Sequence, residues 1–178
     1  MQVVKYVLYV LGGLVLLFLI VALFLPSHFT VERSITINAS DSLVYATTLD
    51  FNSRQSWDPW IEMEPDAQVA VTGTPGSIGS GWNWQGEKIG SGKLTVVHLE
   101  SNRLIKSDIY FDMDSEPAAV TWRFEPSASG TTVYWRIEGD LGYPVERYFG
   151  LMMDSMVGEG FEKGLSNLKK VVGSPVSM

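Results

Sequence analysis

Residues 118–139 read AAVTWRFEPSASGTTVYWRIEG. Two runs rich in β-branched and aromatic residues, 118–126 and 131–139, flank Ser-Ala-Ser-Gly, a break with good turn chemistry, and the segment reads as a β-hairpin. Side chains alternate across a strand, so Trp122 and Phe124 share one face of the first run and Val133, Trp135 and Ile137 share one face of the second. The same grammar extends upstream through AQVAVTG (67–73), SGWNWQGE (80–87), KLTVVHLE (93–100) and RLIKSDIYFDM (103–113). The breaks between these runs hold TPGSIG, KIGSG, SN and DSEP, and such short connections imply antiparallel hairpins in a meander. Trp82 and Trp84 fall on one face of their strand, as do Ile109, Phe111 and Met113 on theirs.

Either side of this β-rich run the pattern changes. FTVERSITIN (29–38) predicts one more strand, through Val31, Ser34 and Thr36. Ser40 reads as an N-cap with Asp41 in the first turn, predicting a short helix over 41–50 that buries Leu43, Val44, Thr47 and Leu49. Phe51 to Trp60 predicts a second short helix or turn, stopped by Pro59. From Glu146 to Val172, apolar positions at Phe149, Met152, Met153, Met156, Phe161, Leu165, Leu168 and Val172 recur at helical spacing and predict one long amphipathic helix. Acids come early in it (Glu146, Asp154) and Lys169 and Lys170 late, as the macrodipole favours. A sheet needs its apolar face covered, and one long helix is available to cover it. The fold class is therefore α+β, a strongly curved antiparallel sheet wrapped on a C-terminal helix.

Tyr6 to Leu25, YVLYVLGGLVLLFLIVALFL, contains no charged residue. At about 1.5 Å per residue it is long enough to cross a hydrocarbon core of roughly 30 Å. A cleaved signal peptide is the alternative, but the run exceeds the usual apolar region of about 7–15 residues and no small-x-small site stands near Pro26. The expected organisation is a transmembrane signal anchor and short linker at 1–28, one domain at 29–173 and a tail at 174–178. Lys5 precedes the span and Arg33 follows it, so the positive-inside bias puts the N-terminus in the cytoplasm and the domain outside, in the periplasm if the source is bacterial. Gly12-Gly13 alone is weak evidence for helix dimerisation. The net charge of −7 argues against nucleic acid as a partner and against electrostatic docking on anionic lipid. With no cysteine, disulfides, thiolate metal sites and a cysteine nucleophile are excluded.

Four segments taken in order, VERSITINAS (31–40), LDFNSRQSWDPW (49–60), GSIGSGWNWQGEKIGSGKLTV (76–96) and GDLGYPVERYFGLMM (139–153) with FEKGLSNLKK (161–170), carry a family resemblance. Together they resemble the START-like, or SRPBCC, superfamily with its helix-grip fold, and within it the membrane-anchored polyketide cyclase/dehydrase and lipid-transport group. The resemblance spans about residues 29–172. It implies a deep cavity between the sheet and the C-terminal helix, used in many relatives for hydrophobic ligands, and it implies no single chemistry. In such relatives the W-x-x-W region packs near the cavity mouth, which brings in Trp57 and Trp60.

The candidate cavity residues are thus Trp57, Trp60, Trp82, Trp84, Phe111, Trp122, Phe124, Trp135, Met153, Met156 and Phe161, with core packing as the competing role of each. Gly158, Gly160 and Gly164 in the helix cost propensity, and they allow either close approach of the sheet or room for a guest. Polar candidates are Glu87, His98, Arg123 and Arg136, because charges on the central strands of a cavity fold sometimes point inward. Asp58, Glu62, Glu64, Asp108, Asp112, Asp114 and Asp140 read as surface or turn carboxylates. Two histidines, His28 and His98, 70 residues apart, make a metal site improbable, and no cofactor or catalytic triad is expected. The glycine-rich turns lack the Gly-Lys-Ser/Thr ending of a phosphate loop. The leading expectation is a membrane-tethered domain that binds a lipid or other hydrophobic small molecule without catalysis. The alternatives are a cyclase or dehydratase on a polyketide-like substrate, which needs a polar cluster inside the cavity, and a protein-interaction module with a vestigial cavity.

Overall fold

The computed structural model describes residues 2–111 and 116–173; Asp112, Met113, Asp114 and the tail 174–178 lie outside the described residues. Helix α1 (Gln2–Phe24) leads into β1 (His28–Ile37) and three short helices, α2 (Asp41–Leu49), α3 (Phe51–Arg54) and α4 (Pro59–Met63). Six strands follow, β2 (Gln68–Thr72), β3 (Gly81–Gln85), β4 (Ser91–Glu100), β5 (Leu104–Phe111), β6 (Ala118–Ser127) and β7 (Gly130–Asp140). The chain then forms α5 (Val145–Gly150) and α6 (Met153–Gly173).

The seven strands make one antiparallel sheet in the order β1-β7-β6-β5-β4-β3-β2. Strands β2 to β7 form the meander, and β1 is added beside β7 with His28 opposite Asp140 and Ile37 opposite Thr131. Alternation sends Val120, Trp122 and Phe124 of β6 and Val133, Trp135 and Ile137 of β7 to the inner face. Against that face lie Phe161, Leu165 and Leu168 of α6 and Val44, Tyr45 and Leu49 of α2. A register shift between Val96 and His98 puts an extra residue into β4, which bends the sheet and reverses the alternation beyond it.

Local chemistry corrects three expectations. Pro59 starts a helix instead of stopping one. A proline at the first helical position sacrifices no intrahelical bond, and the Asp58 carboxylate caps it by accepting the N–H groups of Trp60 and Ile61. Helix α2 buries Val44, Tyr45, Thr48 and Leu49, whereas Leu43 is exposed and Thr47 only half-buried. Residues 43 and 47 stand one turn apart, so a small rotation of the helix takes both out of the core together. The long C-terminal helix is two pieces, broken at Leu151-Met152, and Phe149, Met152 and Met156 are exposed.

Close approach explains the glycines of α6. A Cβ on Gly160 would stand 3.0 Å from Trp60 Cζ2, and one on Gly164 would stand 2.7 Å from Trp135 Cζ3 and 3.1 Å from Pro59 Cδ. Gly158 faces the Arg33 guanidinium, which reaches across from β1 to Asp154 (2.9 Å) and Glu162 (2.8 Å) and ties the helix to the strand. The Asp154 carboxyl is held below the usual aspartate range by hydrogen bonds and charge from Arg33. Alanine is the better helix former by about 1 kcal/mol. Gly164→Ala is nonetheless expected to destabilise the protein by about 1–3 kcal/mol, since the indole and the proline ring must both move. Thermal or denaturant unfolding measures this; an unchanged or raised midpoint would contradict the contact.

Candidate ligand cavity

The strand registers gather one set of chain positions at a single end of the sheet. His28 opposes Asp140, Ala118 opposes Ile109, Phe111 opposes Gly92, and Gln85 opposes both Ser91 and Gln68. This is also the end where α1 delivers the chain into β1. At this end α6 stands off the sheet and leaves a partly enclosed space of about 190 Å³. Its rim is half-exposed side chains: Trp84 and Ile89 from β3 and the loop after it, Phe111 from β5, and Met153 and Val157 from the first turns of α6. Its floor is buried and includes Trp82, Trp135, Arg54 and Asp58, and the walls include Trp60, Ile61, Ile109 and Phe161.

Rings dominate the wall. Trp135 stacks on Phe161 at 4.0 Å and 10° and on Trp122 at 4.3 Å and 21°. Trp60 meets Trp135 edge-on at 5.8 Å, and Trp84 meets Phe111 edge-on at 5.9 Å. The buried indole N–H groups of Trp57 and Trp135 have no acceptor among the described residues, a cost that ring packing has to outweigh.

Of the sequence candidates, Trp60, Trp82, Trp84, Phe111, Trp135, Met153 and Phe161 meet around this space. Trp57, Trp122 and Phe124 lie in the core behind it. Met156 turns outward, three residues on from Met153 but on the exposed side of α6. The four polar candidates lie outside the cavity. Arg123 alternates with Trp122 and Phe124, so it sits on the outer face, 4.1 Å over the Tyr134 ring and paired with Glu125. Arg136 alternates with Trp135 and Ile137 and pairs with Glu138. His98 would follow Leu94 and Val96 inward, but the β4 bulge turns it out beside Glu100, and Leu99 faces inward. Glu87 is exposed in the β3–β4 loop.

Arg54, which the sequence does not single out, and Asp58, which reads as a surface carboxylate, lie within SRQSWDPW, a stretch that looks polar. Both are buried, at 6% and 4% exposure, and the Arg54 Nε donates to Asp58 Oδ2 at 2.8 Å. The other carboxylate oxygen accepts the backbone N–H groups of Trp60 and Ile61, at 3.0 and 3.3 Å. An i, i+4 Arg-Asp pair next to tryptophan was the available signal, and a polar run masked it. Glu64 was also placed on the surface. Its carboxylate accepts the backbone N–H groups of Ile89, Glu87 and Lys88 and holds the rim loop over the cavity. Those bonds, that from Ile89 first, lower its pKa. Among the described residues no group of three His, Cys, Asp or Glu side chains is placed to hold a metal ion.

At the same end of the sheet, α5 rests on α1. The Tyr148 ring stacks on Phe18 at 4.4 Å, and its hydroxyl donates to the Phe18 carbonyl at 2.7 Å. Tyr143 donates to the Leu19 carbonyl, and Arg147 donates to that of Ala22. Val145, Phe149, Leu151 and Met152 remain exposed beside these contacts. Among the described residues, α1 is the one helix apolar and long enough to cross a membrane.

A family described as polyketide cyclase / dehydrase and lipid transport matches residues 28–173, nearly the whole of the chain beyond α1. This chain belongs to that family. The polyketide cyclase/dehydrase and lipid-transport fold recurs in solved structures of low identity. A protein of unknown function from Staphylococcus aureus superposes with a TM-score of 0.64 at 14% identity, covering 82% of this chain and 93% of that one. A protein from Chromobacterium violaceum gives 0.61 at 14% identity, covering 82% and 99%. DynU16, from the dynemicin biosynthetic locus, gives 0.59 at 14% identity, and this chain spans 47% of its length. At such identities the likeness is one of fold, the START-like helix-grip architecture. No curated protein matches the sequence.

Two outcomes follow for these residues. Trp57, 1% exposed and edge-on to both Trp122 and Trp135, is core, whereas Trp60 is half-buried wall. Trp57→Ala should cost about 3–5 kcal/mol and Trp60→Ala distinctly less, and equal unfolding midpoints would overturn that division. Because the Glu64 pKa is lowered on folding, its hold on the loop is complete above the ordinary glutamate range and is lost as pH falls through the lowered value. The amide resonances of Glu87, Lys88 and Ile89 should therefore move together in an NMR titration, with a midpoint below the ordinary glutamate value. A midpoint at or above that value would remove the carboxylate from the loop.

Proposed function

We propose that the chain is a membrane-tethered binding protein that takes a lipid or other apolar small molecule into the space between sheet and α6. In this reading residues 1–28 are a transmembrane anchor with a short linker, 29–173 form the binding domain and 174–178 a tail. One observation carries the proposal: the partly enclosed, ring-lined cavity has its rim at the end of the sheet that adjoins α1. An apolar ligand leaving a bilayer at the end of α1 meets that rim without crossing water. The exposed Val145, Phe149, Leu151 and Met152 of the α5 region support the same geometry, because α5 touches α1 at Phe18 to Ala22, within its last two turns. Apolar side chains at that level lie in the bilayer interface if α1 spans. Lys5 before the span favours a cytoplasmic N-terminus and an extracytoplasmic domain.

A cyclase or dehydratase needs a general acid or base free to reach substrate. Asp58, the carboxylate that lines the cavity, is held by Arg54 and by two backbone N–H groups, which favours binding over catalysis.

Native mass spectrometry of the full-length chain released from membranes tests the proposal. The expected spectrum carries one apolar molecule per chain, and Val157→Trp, which fills the rim, should cut its occupancy about tenfold with little change in unfolding midpoint. A ligand-free wild-type chain, or equal occupancy in the variant, would contradict it.

A further inference from the structure

We propose that Arg54 is the head-group anchor of this cavity, and that the ligand it selects is an apolar chain or ring ending in a carboxylate. The inference rests on the cavity being a binding site for apolar molecules and adds the chemistry of one end of the guest. A guanidinium carries five N–H donors and no acceptor. At Arg54 the Nε is used on Asp58, and the terminal nitrogens make no hydrogen bond among the described residues. The group is buried in the cavity floor, with its Cζ 5.3 Å from the Trp57 ring, 5.8 Å from Trp82 and 6.0 Å from Trp135. The rings hold the guanidinium in place through cation–π contacts but offer its N–H edge no acceptor.

Asp58 is the nearby anion, and its own requirements are met twice over. One oxygen takes the Arg54 Nε and the other takes two backbone N–H groups at the start of α4. What remains is a fork of unused donors on a residue that is only 6% exposed and lines an apolar space; Asp58 is the other charged lining residue among those described. A carboxylate is the group that two terminal guanidinium nitrogens fit in parallel. Depth sets the direction of the guest. Arg54 lies in the buried floor while Phe111, Met153 and Val157 form the half-exposed rim, so the carboxylate enters first and the apolar tail trails toward the rim.

The test uses the full-length chain in phosphatidylcholine nanodiscs at mildly alkaline pH, where a carboxylic acid is ionised. Binding of radiolabelled decanoate, methyl decanoate and decylamine is measured, with empty nanodiscs subtracted. Decanoate should bind one per chain and at least about tenfold more tightly than the ester or the amine. Arg54→Gln should abolish the preference, bringing decanoate down to the level of the ester, while Arg54→Lys should keep part of it. If Arg54→Gln does not fold, the wild-type comparison and Arg54→Lys decide the matter. Equal affinity for decanoate and its ester, or tightest binding of the amine, would overturn the anchor while leaving the apolar site standing. An equal loss for decanoate and ester in Arg54→Gln would reduce Arg54 to a packing role and overturn it too. If none of the three binds, the apolar site itself falls, and the anchor with it.

Discussion

Trp135 is held between Trp122 on the neighbouring strand and Phe161 on α6, in two near-parallel stacks at 4.3 and 4.0 Å. The other main features of the domain follow from this contact. Stacked rings set a spacing between helix and sheet that aliphatic side chains would not, and the helix meets that spacing by carrying Gly164 where the indole presses on it. Trp57 and Trp60 close on the edges of the same indole, which fixes α4 and the segment before it over the sheet. Toward Met153 the stack ends, and the space between α6 and the bent sheet stays open. The cavity is thus what an aromatic wedge leaves at the end of the sheet nearest α1.

Charges complete the frame at places where apolar contact gives out. Arg33 crosses from β1 to two carboxylates on α6 and fixes the first turns of the helix, which carry the rim residues Met153 and Val157. Glu64 does the same for the opposite rim by binding three consecutive backbone N–H groups of the β3–β4 loop. These are tethers at the mouth, exposed to water and so inexpensive to form. Arg54 and Asp58 are a different case. They are buried, where the desolvation of two charges is repaid only in part by their attraction. The proposed carboxylate-bearing guest gives such a pair a role beyond the small stability it adds.

Much of the fold was legible because strand alternation and turn chemistry are local. The hairpin at 118–139 announces which face carries Trp122, Phe124 and Trp135, and the meander follows from short, turn-rich breaks. Of the seven candidates that line the space, Trp60 came from the family resemblance, and the other six are large apolar side chains whose alternation or helical spacing points them at the core. Errors arose where a local rule has two outcomes. Pro59 can end a helix or begin one, and the Asp58 cap decides. His98 faces in or out according to a bulge at Val97 that no residue pattern marks. Depth was also hidden, since alternation tells which side a residue faces but not whether a cavity or packed core lies there. Met153 and Met156 look equivalent in sequence and differ in exposure. Arg54 was overlooked for a related reason: a charged residue in a polar run reads as surface until the chain folds tryptophans around it.

The most direct measurement is photo-cross-linking of the full-length chain in native-like membranes with an alkyl ligand bearing a diazirine at its tail, mapped by peptide mass spectrometry. A cavity that takes apolar ligands through the α1 end of the sheet predicts adducts on Trp60, Phe111, Met153 and Val157, lost in the presence of excess unlabelled ligand. Adducts confined to α1 and the exposed face of α5, unaffected by competitor, would contradict it.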